Sequence, residues 1–227
     1  MYKVKYFKEN LIDEKIIDEL AYIKNNDLLY NLSNLNIPSR VIYYYDENDE
    51  KIISEIDYLY NGRFHRENGP AKLFLYDNGN IKEEHYYRNG EFYPDSKGVT
   101  IRKFFKNGAL KSTCEQIKDN YIKITNYNKS DLKVDEKYYF NGNLHKVDGP
   151  AMIIYYNDGK TIKEQYWYRF GKLHRLYEPA VQYDNNGNVI SSYYIDGIKF
   201  EDILKHAIVS ATFENNEINI YINNNLV

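Results

Sequence analysis

Short runs rich in Tyr, Ile, Leu and Phe recur along most of the chain, separated by Asn-Gly or Asp-Gly. Ala71 to Tyr76, Ile81 to Tyr87, Ala151 to Tyr156, Ile162 to Tyr168 and Val189 to Ile195 each have the length of one strand. Alternation within them is weak. In Lys72-Leu73-Phe74-Leu75-Tyr76 and Met152-Ile153-Ile154-Tyr155-Tyr156 apolar side chains fall on both phases, so both faces of the strand are partly covered. Lys82, Glu83 and Glu84, like Lys163, Glu164 and Gln165, keep the start of each returning strand in water. The pattern predicts a two-sided, tyrosine-bearing ribbon of antiparallel hairpins. A lone hairpin buries too little to stand by itself, so the hairpins must stack.

The glycines supply the punctuation. Ten of the twelve follow Asn or Asp, the pair that best tolerates the positive φ angles of a type I′ turn. Asn78-Gly79, Asn89-Gly90, Asn107-Gly108, Asp158-Gly159, Asn186-Gly187 and Asp196-Gly197 are the expected hairpin tips. The glycines also expose a repeat: YNGRFHRENGPA from Tyr60 returns as FNGNLHKVDGPA from Phe140, and as the altered RFGKLHRLYEPA from Arg169. The unit is about 26 to 29 residues long, the size of one supersecondary element in a repeat protein. Val99 to Phe105 and Tyr121 to Tyr127 read as strands of one or two degenerate hairpins in a stretch, 93–137, that lacks the Gly-Pro-Ala element. Arg40 to Tyr45, the acidic turn Asp46 to Glu50, and Lys51 to Tyr60 add a hairpin without glycine.

At the ends the period changes. Ile12, Ile16, Leu20 and Ile23 share one helical face, Leu28, Leu32 and Leu35 continue it, and Pro38 stops it. Phe200, Ile203, Leu204 and Ala207 predict a short second helix, followed by strands at Ile208 to Phe213 and Glu217 to Ile222. The organisation expected is a helical cap over 1–39, hairpin repeats over 40–200 and a second cap over 201–227, covering the edges that an open sheet leaves unpaired. The fold class is mainly β: an elongated, twisted antiparallel sheet of consecutive hairpins with short helical caps.

Composition narrows the partners. Thirty basic and 33 acidic residues are interspersed for a net charge of −3, which leaves no cationic field for a phosphate backbone and disfavours nucleic acid. No apolar run has the length of a signal peptide or a membrane helix, so a soluble, cytoplasmic protein is expected, in the host cytoplasm for a viral product. A single cysteine, Cys114, excludes an internal disulfide.

The string N-G-x-x-H-R-x-x-G-P-A, followed by Y-x-[ND]-G and paired aromatics, resembles the MORN repeat variant (MORN-like, type 2) family over Arg40 to Phe200. That resemblance implies a row of β-hairpins and says little about activity. One branch of the family is linked to antitoxins of toxin and antitoxin pairs. Other members are bacterial or viral proteins without assigned function, and related repeats are linked to dimerisation, scaffolds and lipid contact. Phe170-Gly171 and Leu176-Tyr177-Glu178-Pro179 depart from the motif and predict a distorted turn in the third copy.

His65-Arg66, His145-Lys146 and His174-Arg175 are the residues that look chemical. Equivalent positions in adjacent units lie about 9 to 10 Å apart, too far for three imidazoles to meet one ion at about 2 Å. No cofactor or metal is therefore expected. The structural reading has each His hydrogen-bond the loop that leads to Gly-Pro, while the adjacent cation packs over a tyrosine. The binding reading makes these six residues, with Tyr86 and Trp167, a repeated protein-binding surface. His85 beside Glu83 and Glu84 reads as a solvated strand position, and Cys114 as a half-buried thiol, so no enzyme is predicted. The expected function is protein-protein interaction. A self-assembling scaffold or peripheral membrane binding are the competing readings, with a homo-oligomer left open and membrane contact disfavoured.

Overall fold

The computed structural model describes residues 3–8, 11–15, 38–201, 209–214, 217–222 and 225–226, with side chains over 38–201. It divides into two units, Met1–Val134 and Asp135–Val227. Both are antiparallel sheets of consecutive hairpins, so the chain is mainly β as the pattern of runs and glycines predicts.

The first unit opens with β1 (Lys3–Lys8), β2 (Leu11–Lys15), β3 (Arg40–Tyr45) and β4 (Lys51–Asp57). A short side hairpin, β5 (Leu59–Tyr60) and β6 (Arg63–Phe64), precedes β7 (Lys72–Leu75) and β8 (Ile81–His85). A second side hairpin, β9 (Tyr87–Arg88) and β10 (Glu91–Phe92), precedes β11 (Val99–Phe104), β12 (Leu110–Lys118) and β13 (Tyr121–Tyr127). The main strands follow the order β2-β1-β3-β4-β7-β8-β11-β12-β13. The longest of them, β12, was not expected from its polar sequence LKSTCEQIK. Ladder pairing on both sides, Thr113 opposite Arg102 and Thr125, holds it in place of an apolar run.

In the second unit the main strands are β14 (Lys133–Phe140, entering the unit at Asp135), β16 (Met152–Tyr155), β17 (Ile162–Tyr166), β20 (Val181–Asn185) and β21 (Asn188–Ser192), paired in that order. Alongside run the short β15 (Asn143–Leu144), β18 (Tyr168–Arg169) with β19 (Lys172–Leu173), and β22 (Tyr194–Ile195) with β23 (Ile198–Lys199). A separate sheet of β24 (Val209–Glu214), β25 (Glu217–Ile222) and β26 (Asn225–Leu226) ends the chain and contains the two C-terminal strands expected from the sequence.

The N-terminal helical cap needs correction at its start. Leu11–Lys15, which includes the first predicted helical position Ile12, is a strand paired with Lys3–Lys8. Cross-strand hydrogen bonds override a helical period that only Ile12 carries in that stretch. The other predicted N-terminal positions, Ile16 to Leu35, lie outside the described residues, as do Ile203, Leu204 and Ala207; Phe200 and Glu201 are helical.

The Asn-Gly and Asp-Gly tips divide into two turn types. At Asn89-Gly90, Asn186-Gly187 and Asp196-Gly197 both residues have positive φ, as type I′ requires. At Asn78-Gly79, Asn107-Gly108 and Asp158-Gly159 only the glycine does. There Tyr76 N–H donates to Asn80 C=O at 2.8 Å and Gly79 N–H to Tyr76 C=O at 3.0 Å, and the register shifts between Phe74 and Leu75. This is the three-residue loop that ends in a bulge, and Asn107-Gly108 repeats it, whereas at Asp158-Gly159 Tyr156 N–H reaches Thr161 C=O, one residue further.

The core is thin. Strands Lys72–Leu75 and Met152–Tyr155 are half-buried at every position, as apolar residues on both phases predict. Ala71, Ala151 and Ala180 have no exposed surface, and among large apolar side chains Tyr43 and Leu59 are nearly as buried. Ala71 N–H donates to His85 C=O while its C=O accepts from Tyr58 N–H, so the methyl sits where strand, side hairpin and loop meet. Thr100 takes this place in the copy without Gly-Pro-Ala, accepting from Tyr86 N–H at 2.9 Å. Ser39 does so at the start of β3, donating to Asp57 C=O at 2.8 Å. Pro38-Ser39 is thus a further, disguised Pro-Ala.

Candidate functional site

The repeated loop is built on an aromatic residue. His65 N–H donates to Tyr58 C=O, His145 N–H to Tyr138 C=O and His174 N–H to Trp167 C=O, each at 3.0 Å. The same three aromatics donate their own N–H groups to Ala71, Ala151 and Ala180 at 2.8 Å. Over each ring lies the cation that follows the histidine: Arg66 at 3.7 Å, Lys146 at 3.8 Å and Arg175 at 3.9 Å from the centroid. Stacking on a π face leaves the guanidinium edge free to donate, and Arg66 and Arg175 use it on Pro70 C=O and Pro179 C=O at 3.2 and 3.3 Å. The expected cation over an aromatic ring is present in all three copies, and it leaves Trp167 half-buried beneath Arg175.

The histidine rings take their hydrogen bonds from the next side hairpin and not from their own loops, against expectation. Each Nδ1 instead accepts the backbone N–H of the positive-φ residue in the next side hairpin: Asn89 at 3.2 Å, Phe170 at 3.4 Å and Asp196 at 3.2 Å. Backbone bonds run beside them, with Gly90 N–H to Phe64 C=O, Gly171 N–H to Leu144 C=O and Gly197 N–H to Leu173 C=O. The histidines therefore staple successive copies, and side hairpins and loops form a column beside the main strands of each unit. Asn89 Oδ1 also lies 3.1 Å from His65 Nδ1, and Asp196 Oδ1 2.9 Å from His174 Nδ1. At His145 the partner is Phe170, whose ring stacks on the imidazole. Burial, with the charge of Arg169, holds His145 below its ordinary pKa.

The turn at Phe170-Gly171 keeps the type I′ angles, φ 47° and 81°, close to the 47° and 76° of Asn141-Gly142. The distortion falls at the second departure from the motif, Leu176 to Pro179. In the third loop positive φ moves from the glycine position, Gly69 or Gly149 in the other copies, to Tyr177 one place earlier, with φ 65°.

Tyr86 sits in a charged network that repeat logic does not reveal. Its hydroxyl donates to Glu84 Oε2 at 3.1 Å and accepts from Arg102, which also binds Asp95. Burial and the Glu84 charge push the phenol up to about 12. Beside it a cleft of 470 Å³ opens between Arg66–Gly69 and Tyr93–Ser96. His85 is half-buried, its ring near Phe74 and Phe92 and its Nε2 3.0 Å from Glu83, so it is packed and not a solvated strand position. Burial pushes the Cys114 thiol up, away from the reactive thiolate. Among the described residues no group of three or more His, Cys, Asp or Glu is placed to hold a metal ion.

Sequence reading missed the most buried charge. Asp57 has no exposed surface and lies opposite both Arg40 on β3 and Lys72 on β7, with Glu55 completing the cluster. Burial pushes its carboxyl up to about 7 against the pull of Arg40. The alternation of Glu55 and Asp57, on one face of β4, was the available signal.

Large apolar side chains stand open along the loop column of the second unit: Val147, Phe170, Leu176, Ile198 and, 99% exposed, Tyr177. The fold and this surface define an antiparallel hairpin-repeat protein whose loops are stapled copy to copy. No family model matches the chain, and neither a curated protein nor a solved structure does. Among the described residues no helix is long and apolar enough to cross a membrane.

Proposed function

We propose that this chain is a non-enzymatic, cytoplasmic repeat protein of MORN-like type that holds a protein partner through its loop column, with Leu176 and Tyr177 as the anchor. The observation that carries this reading is Tyr177. A bulky residue with φ 65° costs about 1 to 2 kcal/mol relative to ordinary backbone, and here the ring gains no intramolecular burial in return. Asn68 and Asp148 hold the equivalent position in the other copies without positive φ. A strained, fully exposed aromatic beside an exposed leucine suits capture of an apolar pocket on a partner. An antitoxin-like role is one form of this reading.

Tyr177→Gly tests it, because glycine relieves the strain and removes the ring together. The expected result is equal or higher thermal stability with loss of the partner that the wild-type chain captures from its native host, identified by mass spectrometry. Retained capture by both Tyr177→Gly and Leu176→Ser overturns the assignment. Concentration-dependent oligomers in sedimentation, lost in Tyr177→Gly, make the partner a second copy and favour the scaffold reading. Pelleting with anionic vesicles favours membrane binding.

A further inference from the structure

Several cations on the main strands of the first unit meet carboxylates, while Lys51, Lys82, Lys111 and Lys118 lie over aromatic rings. Arg40 pairs with Asp57 and Glu55, Lys72 with Glu55, Arg102 with Asp95 and Glu84, and Lys103 with Glu83. Arg88 differs. It is half-buried in the wall of the 470 Å³ cleft, its guanidinium stacked 4.0 Å from the Tyr93 ring centroid. Among the described residues its one hydrogen bond is a long one, 3.5 Å to Glu67 C=O, and no carboxylate lies within ion-pair distance.

Two acids line the cleft, Glu67, whose carboxylate makes no ion pair with Arg88, and Asp95, which is already committed. Asp95 accepts from Arg102 and from the N–H groups of Lys97 and Val99, which hold it below the usual carboxylate range despite its burial. A partly desolvated guanidinium over an aromatic ring in the cleft wall keeps N–H groups for what enters the cleft. Tyr86, Tyr87 and Pro94 line it with apolar surface, while Asn68 and Ser96, exposed at the rim, make no side-chain hydrogen bond among the described residues.

We propose that this cleft binds an acidic segment of a protein partner, with an Asp or Glu carboxylate bidentate on Arg88 and the flanking peptide over Tyr87 and Pro94. The volume lies within the range of about 300 to 1,000 Å³ for ligand sites and suits a few residues of extended chain. A phosphate group fits less well. The other arginine of the cleft, Arg66, is already stacked on Tyr58 and bonded to Pro70 C=O, leaving a single open fork for a group that favours several donors. This inference rests on the partner-binding reading, but it uses the first unit and none of the Leu176 and Tyr177 surface.

The test is an NMR titration of the isotope-labelled full chain with three probes: acetyl-Glu-Tyr-Glu-amide, acetyl-Gln-Tyr-Gln-amide and inorganic phosphate. The acidic peptide is expected to shift the amide signals of Arg88, Tyr93 and Ser96, with affinity falling as salt rises. Binding should weaken about tenfold with the glutamine peptide or in Arg88→Gln, the loss expected of one charge-assisted pair. Asn68→Glu, which sets a carboxylate at the exposed rim, should block the peptide and keeps the test open if Arg88→Gln does not fold. Equal binding of both peptides, unchanged binding in Asn68→Glu, no cleft shifts at millimolar peptide, or phosphate binding as tightly as the acidic peptide overturns the proposal. Loss of partner capture in Tyr177→Gly with no cleft binding would sink this inference and leave the partner-binding reading standing.

Discussion

The Phe170 ring lies 4.4 Å from the imidazole of His145 and 7° from parallel, while Phe170 N–H donates to His145 Nδ1. One residue therefore covers the histidine and uses its lone pair. Protonating Nδ1 removes the acceptor, and Phe170 has no side-chain oxygen to receive the new proton. Asn89 and Asp196 do, at His65 and His174.

From this follows a pH dependence. Burial lowers the folded pKa of His145, so the folded state binds fewer protons than the unfolded chain near pH 6.5. Its contribution is full above the unfolded value and is lost as pH falls through that value toward the folded one. Wild type should lose more melting temperature than His145→Gln between pH 8 and pH 5. Parallel melting curves across that range would remove the staple from the account.

Asp57 runs the other way. Its folded pKa of about 7 lies above the unfolded value, so its contribution is greatest below about pH 4 and is lost as pH rises through 7. The stability of wild type relative to Asp57→Asn should therefore grow as pH falls from 7 to 5, measured by urea unfolding. Asp57→Ala should cost about 3 to 5 kcal/mol, because it strips a buried partner from Arg40.

Two glycines in the second unit separate backbone strain from crowding. Gly171 and Gly187 have nearly equal φ, 81° and 86°, but a Cβ on Gly171 would meet Asn143 Oδ1 at 3.1 Å, while none lies within 4 Å at Gly187. Each change to alanine should cost about 1 kcal/mol for the left-handed conformation, and Gly171→Ala measurably more in thermal melts. Equal losses would mean that Asn143 gives way freely.

Lys146→Arg should stabilise. Arg66 and Arg175 each stack on an aromatic and also donate to a proline carbonyl. Arginine at 146 restores that second bond toward Pro150, a gain of about 0.5 to 1.5 kcal/mol in denaturant unfolding.

Strands, turns and repeat spacing were readable because they depend on local rules: aromatic and β-branched runs, and Asn or Asp where φ must be positive. The cation over the aromatic ring was legible for the same reason, since the motif fixes the two residues eight places apart in one loop. The histidine partners were not. Asn89, Phe170 and Asp196 lie 22 to 25 residues onward, and the spacing between copies says nothing of which side chain faces which backbone group.

The sequence by itself determined that this chain folds as hairpins in series, because turn chemistry and half-apolar strands act within a few residues of each other. Tertiary structure decided the rest. It turned Leu11–Lys15 into strand, placed Thr100 and Ser39 where other copies use alanine, and buried Asp57 between Arg40 and Lys72. It also left Arg88 without a carboxylate and Tyr177 in water. These outcomes depend on which strands pair and on how much surface each pairing removes from solvent, energies that arise only when distant segments meet.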